Sequence, residues 1–158
     1  MPSTTSLTRS INILHGVSLC VAIMILALAY QDCGILSLCL NPIFAIMAMG
    51  YDTTMLLLAY KRPEGAPRLS IGYTVAAYLL SAAWLSAFVA MSAVLSSLEA
   101  QVELFDFRIL VPQTMRGPQH IQILLDALEC VLMGDIAVRS TIDRRLQREE
   151  SEKVTPDC

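Results

Sequence analysis

The chain has 158 residues, of which 55% are hydrophobic and 16% charged, with a formal net charge of −3 at pH 7 and a mean hydropathy of +0.58. A soluble domain carries about 25% charged residues, so this composition argues against an ordinary water-soluble globule. The length suits one domain, and no strongly basic stretch points to nucleic acid.

Nothing charged lies between Arg9 and Asp32, between Asp32 and Asp52, or between Arg68 and Glu99, taking histidine as neutral. Uncharged apolar runs of about 18 residues or more read as transmembrane helices. Residues 1–10 are a polar N-terminus. The first span is expected over residues 11–30. Arg9 followed by an apolar run and Ala27-Leu28-Ala29 also fits a signal peptide cleaved after Ala29. The apolar stretch exceeds the usual length of about 7–15 residues, which favours an uncleaved helix.

Gln31, Asp32, Cys33 and Gly34 form a short polar break, expected to be a tight turn that sends the next span back antiparallel. That second span, residues 35–60, contains Pro42. Proline removes an amide donor and clashes with the carbonyl four residues back, so a kink is expected near Leu38. A basic, Pro- and Gly-rich loop follows over residues 61–68. The third span, residues 70–98, contains Trp84 and a row of small residues, Gly72, Ala76, Ala83, Ala87 and Ala90, suited to helix packing.

Residues 99–119 are the longest connection. Leu98, Val102, Phe105 and Ile109 follow helical spacing with Glu99, Glu103 and Asp106 between them. This pattern predicts either an amphipathic continuation of the third helix along the headgroups or a solvated loop. The fourth span, residues 120–139, carries Asp126, Glu129 and Asp135. Each would cost roughly 2.5–3.5 kcal/mol at the centre of a lipid-facing helix. It is a poor span alone and a good one if three greasier helices cover its polar side. The charged tail, residues 140–158, is expected to start helical, with Ile142 and Leu146 on one side, and then to fray.

Of the 11 Lys and Arg residues, Arg108 and Arg116 fall on one side of such a four-span chain. The others fall at Arg9, in the 61–68 loop, or from Arg139 onward. By the positive-inside rule both termini are expected to be cytoplasmic. The expected fold class is therefore all-α, an integral membrane four-helix bundle. Cys20, Cys39 and Cys130 fall in spans and Cys33 in a short loop. Buried cysteine acting as a small hydrophobe is the preferred reading, and no disulfide-stapled outer domain is implied.

At about 100° per residue, Gly34, Ser37, Asn41, Ala45, Ala48, Asp52 and Ala59 share one face of the second span. Gln122, Asp126, Glu129 and Met133 share one face of the fourth. These faces are expected to turn inward. Asp135 points away and is expected to pair with Arg139 one turn on. Asn41 is expected either to satisfy backbone freed by Pro42 or to bond across helices. Asp52 is too deep to snorkel comfortably, and His15 lies at similar depth on the first span, so a His15–Asp52 hydrogen bond or ion pair is expected. Asp126 and Glu129 read either as hydrogen-bonded residues inside the bundle or as a proton or cation site. Arg139, Arg144, Arg145 and Arg148 are candidate lipid-headgroup contacts, largely offset by neighbouring acids.

No catalytic fingerprint, metal-site motif or cofactor loop is present, so no enzyme, metal or cofactor is expected. The four spans, the tight first outer loop, the longer second one, and a fourth span reading Ala-Leu-Glu-Cys-Val-Leu-Met-Gly-Asp-Ile-Ala-Val before basic residues resemble the MARVEL-type four-helix membrane proteins, including small fungal ones. That resemblance implies membrane apposition, trafficking or the organisation of membrane subdomains. The carboxylates of the fourth span depart from it. Three functions stay open at this point. They are a non-enzymatic organiser that associates laterally as a homo- or hetero-oligomer, a small transporter or channel, and an accessory subunit of a larger complex.

Overall fold

The structure is a computed structural model and describes residues 4–31, 40–61, 71–96, 101–104, 107–110 and 116–154. Four helices carry the chain: α1 (Thr4–Gln31), α2 (Leu40–Lys61), α3 (Ile71–Ser96) and α4 (Arg116–Val154). Helices α1, α2 and α3 are long and apolar enough to cross a membrane, over Arg9–Tyr30, Leu40–Lys61 and Ile71–Ala93. The carboxylates of α4 keep it below that standard.

The helices form a bundle. α1 packs along both α2 and α4, and α3 packs along α4. α2 and α3 meet much less, so three seams are tight and one is loose. The core holds Val21, Ala22 and Ile25 of α1, Ala45 and Ala48 of α2, Ala77, Leu80, Trp84 and Ala87 of α3, and Met133, Ile136 and Ala137 of α4. Trp84 is fully buried, with its ring edge-on to Phe44 at 6.1 Å. Such tilted aromatic contacts add to burial through the ring quadrupole.

The small-residue row of α3 does not define its inner face. Ala87 is buried, Ala76, Ala83 and Ala90 are half-buried, and Gly72 is exposed. The buried stripe runs instead through Ala77, Leu80, Trp84, Ala87 and Met91. On a helix that is apolar all round, spacing alone cannot choose the face. The close approach of α3 to α4 is made elsewhere. Ser81 Oγ donates to the carbonyl of Cys130 at 3.1 Å, and Cys130 Sγ donates back to the carbonyl of Ser81 at 3.5 Å. Gly134 sits against the same serine, where an added Cβ would lie 3.4 Å from Ser81 Oγ.

Two expectations need correction. The segment after α3 does not continue as an amphipathic helix. It forms two antiparallel strands, β1 (Gln101–Leu104) and β2 (Phe107–Leu110), with Val102 opposite Ile109. The tail starts helical, as expected, and α4 runs unbroken for 39 residues to Val154. At 1.5 Å per residue that is about 58 Å, well beyond the roughly 30 Å of a hydrocarbon core. Cys20 is exposed on the bundle surface rather than buried, and Cys130 is half-buried. The turn expected at residues 31–34, the kink near Leu38 and the loop at 62–68 lie outside the described residues, apart from Gln31 at the end of α1.

The hairpin gives a direct check on this correction. Directly opposed residues of an antiparallel pair have Cα atoms about 4.5–5.5 Å apart, within disulfide reach, whereas seven residues along a helix separate them by roughly 10 Å. A Val102→Cys/Ile109→Cys double variant should therefore crosslink on mild oxidation. An unreacted thiol pair would restore the helical reading.

Candidate functional site

The polar side chains of three helices converge inside the bundle. On α1, His15 and Ser18 are three residues apart and share the face continued by Val21, Ala22 and Ile25, all buried. On α2, Asn41, Ala45, Ala48, Asp52 and Met55 are buried in helical register. Ala59, assigned to the same face, is exposed, and Gly34 and Ser37 lie outside the described residues. On α4, Gln122, Asp126, Glu129 and Met133 are all buried.

These residues make two contact groups. In the first, His15 Nδ1 lies 2.7 Å from Asp52 Oδ1, Ser18 Oγ lies 2.7 Å from Asp52 Oδ2, and the same Ser18 Oγ lies 2.5 Å from Glu129 Oε1. One hydroxyl of α1 thus joins a carboxyl of α2 to a carboxyl of α4. The ring of Tyr51 lies 5.6 Å from that of His15, tilted by 55°. In the second group Asn41 Nδ2 donates to both oxygens of Asp126, at 3.0 and 3.1 Å. Asn41 is therefore a cross-helix donor. Asp126 and Glu129, one turn apart, answer to different partners.

His15, Ser18, Asn41, Asp52, Asp126 and Glu129 are all within 1% of complete burial. Among the described residues no lysine or arginine shares this burial. Three carboxyls with a single imidazole cannot all be ionised there without a large desolvation cost. Three side-chain atoms of the two groups remain buried with no hydrogen-bond partner: His15 Nε2, Asn41 Oδ1 and Glu129 Oε2. Among the described residues no three His, Cys, Asp or Glu side chains are grouped as a metal ion would need.

The remaining sequence candidates lie away from this centre. Arg139 Nε donates to both oxygens of Asp135 at 2.9 Å, and Arg139 Nη1 donates to Ser10 Oγ of α1 at 2.9 Å. Both partners of the ion pair are more than one-third exposed, and such exposed pairs contribute little. Arg144 is half-buried, whereas Arg145 and Arg148 are exposed on the extension of α4. His120 is exposed near the start of that helix. Spacing alone did not single out Ser18 or Ser10. The signal for Ser18 was its position three residues after His15 on one helical face.

The bundle is inverted relative to a soluble protein. Its polar groups are inside, and its outer faces carry large apolar residues such as Ile46, Leu57, Leu79, Leu85, Leu124 and Val131, with Leu124 70% exposed. Between α2 and α3 the loose seam opens as a cleft of about 570 Å³ lined by Gly50, Tyr51, Thr54, Gly72, Tyr73 and Ala76. Tyr51 donates its hydroxyl to the carbonyl of Tyr73 across this seam at 3.1 Å. Three helices long enough to span and this outward apolar surface suggest a membrane protein. Comparison of the chain with protein-family models, with characterised proteins and with solved structures finds no match.

Removing one partner of a buried charged pair typically costs about 3–5 kcal/mol, because the other is left uncompensated. His15→Leu strands the Asp52 carboxyl on Ser18 alone, whereas Asp52→Leu leaves an imidazole that can stay neutral. His15→Leu should therefore be the more destabilising change in unfolding measured in mild detergent. Small, equal effects would mean that the two side chains do not depend on each other.

Proposed function

We propose that the chain is a non-enzymatic, multi-pass membrane protein that works by lateral association within the bilayer, as a scaffold or organiser of membrane partners. In this reading all four helices cross the membrane and both termini are cytoplasmic. The charge bias of the loops supports that orientation. α4 crosses because Glu129 and Asp126 are engaged by Ser18 and Asn41 of other helices, while Asp135 pairs with Arg139 one turn on.

The observation that carries the proposal is the cleft between α2 and α3. A helix presenting small residues lets another backbone approach closely, which is how helices associate where lipid is as apolar as the side chains. Gly50 lines that cleft, and a Cβ built on it meets nothing within 4 Å. Packing within the bundle therefore does not require glycine at this position. The missing side chain leaves room there for a neighbouring backbone to approach closely. The resemblance to MARVEL-type proteins, with their roles in membrane apposition and subdomain organisation, is compatible with this use of the outer surface.

Filling the cleft tests the proposal. Gly50→Leu should abolish self-association or partner co-purification in lipid nanodiscs and mild detergent, with thermal stability little changed. Leu124→Ala, on the outer face of α4, should leave association intact. A wild-type chain that is strictly monomeric in lipid and retains no partner sinks the proposal. Cysteine labelling of intact cells tests the crossing number separately: the last dozen residues should be protected from outside reagents.

A further inference from the structure

The hydrogen bonds at Ser18 cannot all be made unless a carboxyl carries a proton. A serine hydroxyl has one hydrogen to donate and two lone pairs with which to accept. Ser18 Oγ touches Asp52 Oδ2 at 2.7 Å and Glu129 Oε1 at 2.5 Å. It donates to one of them only. The other contact is a hydrogen bond if that carboxyl is protonated and donates to the serine, and otherwise it opposes a lone pair to a buried anion.

The neighbours decide which carboxyl is protonated. Asp52 is engaged on both oxygens, by His15 Nδ1 and by Ser18. Glu129 is engaged only on Oε1, and its Oε2 is buried without a partner. With the proton on Glu129, every contact becomes a donor–acceptor pair: Glu129 donates to Ser18, Ser18 to Asp52, and His15 to Asp52.

We propose that Glu129, Ser18 and Asp52 form a binding site for one dissociable proton, seated on Glu129 and passed through the Ser18 hydroxyl to Asp52, with His15 balancing the charge. In the transfer the Glu129 O–H bond breaks as Ser18 Oγ takes that proton. The original hydrogen of Ser18 moves to Asp52 Oδ2, and no electrons are exchanged.

The groups that face this site are few. α1 supplies His15, and α2 supplies Asp52 and Tyr51, whose ring lies against His15. α4 supplies Asp126, one turn before Glu129 and held by Asn41. The buried residues described on α3, namely Ala77, Leu80, Trp84, Ala87 and Met91, include none that titrates. The site goes beyond lateral association and does not depend on it.

Infrared difference spectroscopy of the full chain in lipid nanodiscs tests the assignment. At neutral pH the wild type should show a protonated-carboxyl C=O stretch that shifts in D2O. Glu129→Gln should remove that band, and Asp126→Asn should leave it. Ser18→Ala should slow its deuteration, and Ser18→Thr, which keeps the hydroxyl, should restore the rate. A wild type without the band overturns the proposal, as does a band that survives Glu129→Gln or equal behaviour of the alanine and threonine variants. The Glu129→Gln result decides the site even where Ser18→Ala does not fold.

Discussion

One serine hydroxyl on α1 touches a carboxyl from α2 and a carboxyl from α4, and the orientation of three helices follows from that contact. In a bilayer, turning a leucine from a neighbouring helix toward an acyl chain changes little, because the two surroundings are almost equally apolar. Apolar packing therefore discriminates weakly between rotations of a helix about its own axis. Buried polar groups discriminate strongly, since each one left unpaired in a low dielectric costs a substantial fraction of a hydrogen bond's full strength. Sliding α1 by one residue would rotate it by about 100° and carry both His15 and Ser18 away from Asp52. The His15–Asp52 and Ser18–Glu129 contacts fix α1 against two neighbours at once.

Helix α3 is held by different means. It brings no buried charge, and its attachment to α4 rests on Ser81, Cys130 and Gly134, where small side chains let reciprocal side-chain-to-carbonyl bonds form. Its attachment to α2 is slighter, with the Tyr51–Tyr73 bond beside an open cleft. The bundle is thus uneven around its circumference. The polar centre lies among α1, α2 and α4, and the open cleft lies at the α2–α3 seam, where Tyr51 links the two through its ring contact with His15.

Much of this centre can be read from spacing. Asn41, Ala45, Ala48 and Asp52 mark one face of α2, and Gln122, Asp126, Glu129 and Met133 one face of α4, because polar residues are rare enough in apolar helices to reveal the period. Similar depth paired His15 with Asp52. Ser18 escaped notice because serine in a helix can bond its own backbone and carries no charge to demand a partner. The join between Asn41 and Asp126 was hidden because Pro42 offered Asn41 a local partner. The hairpin was hidden because its residues satisfy two periods. Val102, Phe105 and Ile109 fit a helix, while Val102 with Leu104 and Phe107 with Ile109 fit two short alternating strands. Runs of four residues are too short for periodicity to choose.

The acidity of α4 then acquires a structural meaning. Alone in a bilayer, a helix with Asp126, Glu129 and Asp135 would bear a prohibitive desolvation cost. In the bundle, Asp135 reaches Arg139 at the half-exposed edge, Asp126 accepts from the amide of Asn41, and Glu129 shares a hydrogen bond with the hydroxyl of Ser18. The α1–α2 pair supplies both inner partners, so the polar contacts of α4 depend on those two helices. The carboxyls that set α4 apart from the three more apolar helices are the groups that tie it to α1 and α2. A purely apolar fourth helix would enter the membrane more readily and would have far less to specify its depth and rotation.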